Sequence, residues 1–294
     1  MELNKALGQI SSLINLLTDR DEFVRSRVRD QLVELGEDAL PFLDIATRGD
    51  DDALRIQANA VIQNILPQKL AEKFRQLAQK GLGQDIDLET GMMLIMEFGY
   101  PDSNPEECRQ QLDDLAQNFA DTLNPEAEPS EIVAAFTHFL FQQKGFKGNK
   151  DNYQNPDNSF INKVLDNQTG LPITLSAICV LLAKRLNLPI VGVGMPGHYI
   201  VKYSLPIEPI YFDPFHQGRL LTKKECIQIV EQFGHSFEEH FLSQATQRET
   251  LIRMLNNLVQ VYKNSNETKK ADTLAEYIKI LLNPSRNQQS ERTR

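Results

Sequence analysis

His198 and Asp213 are the two residues of this sequence whose types and spacing best suit chemistry. Residues 198–203 alternate with a period of two, which predicts a strand, and a proline-containing loop returns the chain to a second predicted strand at 208–213. Symmetrical pairing about that loop places His198 opposite Asp213, within hydrogen-bond reach. A carboxylate beside an imidazole fixes its tautomer and supports its charged form, which is how a histidine serves a nucleophile.

The helix that precedes this hairpin is where the nucleophile is expected. Gly170 predicts a turn, Pro172 suits the first position of a helix, and an apolar stripe continues to Asn187, which ends the helix. A strand at 190–194 and a Met-Pro-Gly turn then lead to His198. A helix N-terminus lowers the pKa of a thiol, and its free backbone amides can hold an oxyanion. Helix, histidine strand and aspartate strand together make a complete plan for nucleophilic catalysis.

Five short stretches between about residues 144 and 283 carry a family resemblance. They are Asn158-Ser159, ThrGlyLeuProIleThrLeuSer from 169, ProGlyHisTyr from 196, AspProPhe with Gly218, and ArgMetLeuAsnAsnLeu from 253. In this order they resemble the transglutaminase-like core, and more closely the SirB-type proteins, which join that core to a tetratricopeptide-like tail. The resemblance implies a cysteine-protease-like fold with His198 and Asp213 at the second and third positions of a catalytic triad.

Pro172 stands where the transglutaminase pattern places its cysteine. The family cysteine comes two residues after the turn glycine and seventeen before the proline that closes the helix, and counting from Gly170 or from Pro189 leads to Pro172. Proline has no nucleophilic side chain. Thr174 and Ser176 offer hydroxyls nearby as substitutes, but capping and local hydrogen bonds are the commoner roles of such residues. Cys179 lies farther along the apolar stripe, where a small buried thiol is an ordinary occupant.

Asn158, Pro172 and His216 complete the predicted pocket. Asn158 or Ser159 is typical of an N-cap for the following helix, and this capping role is favoured over a functional one. His216 could join His198 and Asp213 as a facial metal-binding set, although the spacing matches no recognised ligand signature. The sequence favours a loop position for His216 beside Gly218 and predicts neither a metal ion nor a cofactor. His198 and Asp213 also have a structural interpretation, as a buried pair that fastens the hairpin.

The chain as a whole is predicted to be α+β and mostly helical, with five segments. Residues 1–66 resemble HEAT-like helical hairpins, 67–143 form a helical region packing on the core, 144–221 form the transglutaminase-like core with a small antiparallel sheet, 222–284 form a tetratricopeptide-like helical tail, and 285–294 are disordered. The first segment contains an echo at a spacing of 30, in which acidic helix starts precede apolar positions. Its members are Asp21, Val24, Arg25, Val28, Leu32 and Leu35, matched by Asp51, Leu54, Arg55, Ala58, Ile62 and Ile65.

Helices of the second segment are marked by their breaks. One is predicted from Pro67 to residue 79, and others near 87–97, 106–123 and 130–142. Asn104 is predicted to cap the third of these four, with Pro105 at its first position. A loop rich in Gly, Asn and Asp follows at 144–159.

Composition excludes several classes of function. The formal net charge is -9, the pI is near 5.2 and the 31 basic residues are scattered, so no basic face suits nucleic acid. No stretch reaches the roughly 18 apolar residues of a membrane helix, and a cytoplasmic protein is expected. The three cysteines are far apart, which favours free thiols over disulfides or a structural zinc site. The sequence leaves the oligomeric state open.

Two functional hypotheses follow. The favoured one is a nonenzymatic interaction or regulatory protein, a pseudoenzyme that binds a protein partner through its helical repeats and keeps the His198–Asp213 pocket without the chemistry. The alternative is a hydrolase or acyl transferase on protein or peptide amides, with Thr174, Ser176 or a metal-bound water in place of the thiol. The side chain that faces His198 discriminates between them.

Overall fold

The computed structural model describes residues 2–81, 83–124 and 126–284. The chain divides into two units, one ending at Lys73 and the other beginning at Phe74. The segment 285–294, predicted to be disordered, lies outside the described residues. Within the part of the chain that the structure describes, no helix is both long and apolar enough to cross a membrane.

The first unit is helical. Asp21 caps α2 by accepting a hydrogen bond from the Phe23 N–H, and Asp51 accepts one from the Leu54 N–H at the start of α4, so both helices of the echo begin at the predicted acidic residues. Apolar residues of the echo and of the neighbouring helices share one core, which includes Leu17, Val28, Leu32, Leu43, Ala58, Val61 and Ile65. The first four helices are α1 (Glu2–Asn15), α2 (Glu22–Leu35), α3 (Leu40–Thr47) and α4 (Asp52–Lys80).

Helix α4 continues through Pro67, where the sequence predicted a new helix to begin. That prediction was wrong. Proline removes one backbone donor and crowds the preceding turn, but it leaves the other intrahelical hydrogen bonds in place. The flanking residues Leu66, Gln68 and Lys69 are strong helix formers, so the helix persists across the proline.

The second unit begins its own helices with clear caps. Asp87 caps α5, and the Asn104 side chain accepts a hydrogen bond from the Glu106 N–H at 3.0 Å with Pro105 at the first helical position, as predicted. The helix predicted at 130–142 is observed as α7 followed by a π-helical turn, His138–Gln143. These helices are α5 (Leu88–Gly99), α6 (Pro105–Ala120) and α7 (Pro129–Thr137).

A small antiparallel sheet forms the β part of the second unit. Its order is β3-β4-β5-β6, with each strand antiparallel to its neighbour, and α9 packs against β3 and β4. A separate parallel pair joins β1, which lies within the loop predicted at 144–159, to β2. The strands are β1 (Lys147–Gly148), β2 (Thr169–Gly170), β3 (Ile190–Met195), β4 (His198–Tyr203), β5 (Ile210–Asp213) and β6 (Arg219–Leu221). The mostly helical α+β class with a small antiparallel sheet is thus confirmed.

Five further helices, α8 to α12, belong to the second unit. α9 has Pro172 at its first position and ends at Asn187 in a left-handed conformation, as predicted. Thr222 and Glu225 form the predicted capping box at the start of α10. The last two helices form a hairpin whose buried residues include Leu251, Leu258, Leu274 and Tyr277. These helices are α8 (Ile161–Asn167), α9 (Pro172–Leu186), α10 (Lys223–Gln232), α11 (Gln247–Asn264) and α12 (Thr268–Leu282).

Candidate functional site

His198 and Asp213 are in contact, but not through the predicted strand register. Strands β4 and β5 pair with Val201 opposite Phe212 and Tyr203 opposite Ile210. Continued outward, this register sets Asp213 opposite Ile200, so the predicted register was wrong by two residues. The side chains meet diagonally instead, with His198 Nε2 2.7 Å from Asp213 Oδ2. Diagonal neighbours of an antiparallel pair lie within reach of long side chains.

The error in register has a local cause. Symmetrical pairing required a strand from residue 208, but Pro209 has no N–H to donate to a ladder, and β5 begins at Ile210. The connection between the strands is therefore longer than predicted, and the partner strand shifts by two positions. A two-residue shift keeps each side chain on its own face, which is why the His198–Asp213 contact survives.

The carboxylate of Asp213 organises the cluster. The residue is 2 % exposed. Its Oδ1 accepts hydrogen bonds from the backbone N–H groups of Phe215 at 2.9 Å and His216 at 3.3 Å, so Asp213 caps the short 3₁₀ turn Pro214–His216. Its Oδ2 lies 2.7 Å from two ring nitrogens, Nε2 of His198 and Nδ1 of His216. One carboxylate thus holds two imidazoles and one turn.

These contacts keep the carboxylate of Asp213 ionised. Burial by itself would raise the pKa of Asp213, but hydrogen bonds and charge interactions with His198 and His216 outweigh burial and hold that pKa below its usual range. An ionised carboxylate at neutral pH can accept hydrogen bonds or bind a cation, and it cannot donate a proton.

His216 occupies the solvent side of the cluster. Its side chain is 45 % exposed, and its ring centroid lies 5.9 Å from that of His198. The residue belongs to the short turn just before Gly218, in agreement with the predicted position. Gly218 has φ +73°, and a Cβ there would lie 2.4 Å from the Phe141 ring, so only glycine fits this corner. The turn that presents His216 therefore depends on that glycine.

The start of α9 contains no nucleophile in contact with His198. Pro172 is buried at the first helical position. Thr174 is 0 % exposed and its Oγ1 has no hydrogen-bond partner among the described residues, while Ser176 Oγ donates to the carbonyl of Tyr199 at 3.5 Å. Burial raises the pKa of the Cys179 thiol far above its usual range. Among the described residues, no hydroxyl or thiol hydrogen-bonds to the His198 ring.

Asn158 stabilises the loop before α8 rather than capping that helix. Phe160 is the N-cap residue of α8, without a side-chain cap, so the predicted cap at Asn158 or Ser159 was wrong. The Asn158 side chain accepts from Asn149 Nδ2 at 2.9 Å and donates to the carbonyl of Asn152 at 2.7 Å. A short 3₁₀ turn, Pro156–Ser159, intervenes between the loop and α8, which is why neither residue reaches the helix amides. The polar contacts of Asn158 therefore belong to the loop and not to the His198 cluster.

Arg253 was not predicted as part of the site, although it lies in one of the stretches that carry the resemblance. Its guanidinium donates from Nη1 to the carbonyl of Met195 at 2.7 Å and from Nη2 to the carbonyl of His198 at 3.0 Å. It also lies 5.5 Å from the centre of the Tyr199 ring, and burial lowers its pKa. The arginine fixes the turn between β3 and β4, and a sequence separation of 55 residues concealed this contact.

Comparisons with known proteins place this site inside a matched region. A sequence model described as the transglutaminase-like superfamily matches residues 106–256, which include the sheet, the start of α9 and the histidine cluster. A UPF0162 protein of Xylella fastidiosa (strain 9a5c) is 33 % identical over 209 residues, 68 % of this chain and 73 % of that protein. A UPF0162 protein of Pseudomonas aeruginosa is 27 % identical over 170 residues, 57 % of this chain and 62 % of that protein.

A second group of relatives carries the region within much longer chains. The F-box only protein 21 of Homo sapiens is 27 % identical over 161 residues, which are 52 % of this chain and 25 % of that protein. The corresponding protein of Mus musculus shows the same identity and coverage. No solved structure gives a significant match.

Proposed function

Because this chain belongs to the transglutaminase-like superfamily and to the UPF0162 family, we propose that it is a nonenzymatic member that acts by binding or regulating another protein. Its transglutaminase-like core keeps a pocket built on His198 and Asp213 and has lost the cysteine that such a pair would activate. The partner binds through the helical repeats, and the pocket supports the fold or binds a ligand without turnover.

Pro172 is the observation that carries this proposal. It occupies the first position of α9, where the family pattern puts its cysteine, and it is buried. Nucleophilic catalysis needs a thiolate or an activated hydroxyl within hydrogen-bond reach of the base. The nearby hydroxyls do not meet this requirement, since Thr174 is buried with no hydrogen-bond partner in the described part of the chain and Ser176 donates to a backbone carbonyl.

The three thiols support the same conclusion. Cys108, Cys179 and Cys226 are all buried. Burial is the largest effect on each of them and raises the pKa of Cys226 to about 11, so the thiolate form that attacks a carbonyl is scarce at neutral pH. Catalytic cysteines need the opposite environment, partly exposed and close to positive charge.

Exposed apolar residues on the first unit support a protein partner. Phe23, Ile45 and Ile56 are each at least 65 % exposed and lie on three different helices of that unit. Exposed large apolar side chains are common singly, and these three give the proposal its candidate contact positions on the first unit. The F-box only proteins contain the related region as one quarter of a longer chain, which is consistent with a binding module.

Finer assignments belong to the same proposal. We place the chain with the SirB-type proteins, with HEAT-like hairpins at 1–66, a helical region at 67–143, the transglutaminase-like core at 144–221 and a tetratricopeptide-like tail at 222–284. We also propose a cytoplasmic location, on the absence of predicted membrane segments in the sequence and on the three free thiols.

Active-site labelling tests the loss of catalysis. The purified full chain is treated with thiol-directed and hydroxyl-directed probes, and the wild type is compared with His198→Ala. We expect no labelling that depends on His198. Labelling of the wild type that disappears in His198→Ala would overturn the proposal and identify the nucleophile of a hydrolase or acyl transferase.

Site-specific crosslinking tests the binding role. A photocrosslinker at Ile45, which is 70 % exposed, is compared with one at Ile207, an apolar loop residue of the second unit that is 96 % exposed. We expect one partner to crosslink at position 45 and not at 207, and the purified partner to lose binding to Ile45→Asp. Equal crosslinking at both positions, or unchanged binding by Ile45→Asp, would contradict a partner surface on the helical repeats.

A further inference from the structure

His198, Asp213 and His216 converge in a way that a structural hydrogen-bonded pair does not require. One ligand atom from each residue lies within 4.8 Å of the other two. A single histidine suffices to satisfy a buried aspartate and fasten a hairpin. Here a second, half-exposed imidazole points its Nδ1 at the same carboxylate oxygen, 2.7 Å away. Two imidazole nitrogens directed at one carboxylate oxygen are also the donors of a two-histidine, one-carboxylate metal site.

We propose that His198 Nε2, His216 Nδ1 and Asp213 Oδ2 bind a divalent transition-metal ion, with Zn²⁺ as the expected ion. Two imidazole nitrogens and one carboxylate oxygen suit zinc, whereas Mg²⁺ and Ca²⁺ prefer sets made of oxygen alone. This proposal does not depend on the nonenzymatic function proposed above. Binding of an ion is measured directly, whether or not the protein catalyses a reaction.

The carboxylate is already oriented as a metal ligand. Its Oδ1 is held by the backbone N–H groups of Phe215 and His216, which leaves Oδ2 directed at the two imidazoles. Outer hydrogen bonds of this kind fix ligating carboxylates in metal sites. Arg253 adds a second constraint, because it holds the backbone carbonyl of His198 and so anchors the strand that presents the other buried ligand.

The distances need only a small adjustment. Metal–ligand distances of about 2.0–2.2 Å put tetrahedral ligand atoms roughly 3.3 Å apart. The two nitrogen–oxygen distances in the cluster are 2.7 Å, so each ring has to move outward by roughly half an ångström to admit an ion. His216 can make this movement because its side chain is 45 % exposed.

Each ring nitrogen that faces Asp213 has to give up its proton before it can bind a metal ion. In the hydrogen-bonded cluster each histidine donates from the nitrogen that faces Asp213. To bind a metal, that nitrogen must present a lone pair, so the proton shifts to Nδ1 of His198 and to Nε2 of His216. Any second ring proton passes to the solvent, because a metal-bound imidazole is neutral. The ion replaces two N–H···O hydrogen bonds with three coordinate bonds, and the exposed side of His216 leaves a fourth position for water or an incoming group.

The surroundings close the other side of the site. The Phe215 ring meets His198 edge-on at 6.3 Å between centroids and His216 at 5.3 Å, so an apolar wall lies against both imidazoles. Asp213 and His198 are buried, and access is therefore from the His216 side. A pocket that is apolar on one face and open on the other controls which ligand can reach a bound ion.

Metal titration of the full chain, expressed without a histidine tag and stripped by a chelator, tests the proposal. Zn²⁺ binding is followed by calorimetry, and Co²⁺ by its visible absorption. The matched control is His240→Gln, since His240 lies 3.2 Å from Glu238 in a pair that is exposed on both sides. We expect one ion per chain, unchanged affinity in His240→Gln, and a loss greater than about 100-fold in His216→Gln, because removing a direct ligand costs more than removing an outer partner.

Nitrogen-15 spectra of the imidazoles identify the ligands atom by atom. On addition of Zn²⁺ we expect the signals of His198 Nε2 and His216 Nδ1 to shift, and those of the other three of the five histidines to stay in place. The ligand variant is His216→Gln and not Asp213→Asn, because a change at the buried Asp213 can prevent folding. His216 lies at the surface, so its replacement leaves a folded protein to measure. Equal affinity in His216→Gln and His240→Gln, or shifts spread over all five histidines, would overturn the site.

Discussion

Polar groups are satisfied at the end of β5 and left unsatisfied at the start of α9. At Asp213 both carboxylate oxygens have partners, two backbone N–H groups and two imidazoles. At the start of α9, Thr174 Oγ1 is buried without a hydrogen-bond partner in the part of the chain that the structure describes, and Pro172 has no polar side chain. Buried polar groups are normally hydrogen-bonded. Hydrogen bonds therefore stabilise the end of β5, whereas apolar packing stabilises the start of α9. Each histidine has one ring nitrogen on the aspartate, and among the described residues no nucleophile hydrogen-bonds to His198.

The comparison predicts that Asp213→Ala is the most damaging single change. The substitution leaves two backbone N–H groups, the buried His198 ring and the half-exposed His216 ring without their acceptor. Breaking a buried pair such as His198–Asp213 costs about 3–5 kcal/mol of unfolding free energy. Urea denaturation measures the loss. The control is Glu238→Ala, which removes the exposed carboxylate beside His240 and stays within about 0.5 kcal/mol. Similar losses in both variants would show that Asp213 does not organise the cluster.

Two threonines sharpen the contrast between satisfied and unsatisfied groups. Thr250 Oγ1 lies 2.7 Å from the Tyr199 hydroxyl and donates to the carbonyl of Thr246, whereas Thr174 Oγ1 has no partner within residues 2–81, 83–124 and 126–284. Replacing Thr250 by valine leaves the buried hydroxyl of Tyr199 without this partner, and is expected to cost about 1–2 kcal/mol of unfolding free energy. Thr174→Val removes an unpaired group of the same shape and is expected to be neutral or to stabilise by less than about 1 kcal/mol.

Thermal or urea denaturation of the two valine variants decides the point. A loss in Thr174→Val as large as that in Thr250→Val would mean that the Thr174 hydroxyl has a partner. It would also restore Thr174 as a candidate for chemistry at the start of α9.

Signals that act over a few residues predicted their parts of this contrast correctly. The period of two in 198–203, Pro172 at the first position of α9, and the Thr222–Glu225 capping box all act within one element, and each element is observed where it was expected. The mostly helical α+β class follows from the same local patterns. Such patterns carry their information within one turn or one strand.

Contacts between elements were predicted less well. The β4–β5 register depended on where β5 begins, and Pro209 moved that point. The place of His216 against Asp213 depends on a 3₁₀ turn capped by Asp213 itself, which no periodic pattern announces. Arg253 joins the site from a helix far along the chain. Each of these contacts is set by packing between elements, which a single sequence does not display.

Pro172→Cys has a small expected effect on stability and tests the contrast most directly. Proline at this position restricts the unfolded chain, so its replacement is expected to cost only about 0.4–1 kcal/mol. The new thiol stands at the first position of α9, the helix that packs against β4 and against the turn Pro214–His216. A helix N-terminus lowers the pKa of a thiol, and a neighbouring histidine lowers it further.

We expect Pro172→Cys to react with a thiol-directed probe faster than any native cysteine, and the double variant with His198→Ala to lose that advantage. Labelling that is fast in both variants would mean that the thiol is exposed but not served by His198, and the triad geometry would then be lost together with the nucleophile. Labelling that is slow in both would mean that α9 begins too deep in the core for chemistry. Dependence on His198 would show that this histidine can serve a thiol at the start of α9 and that Pro172 withholds the nucleophile.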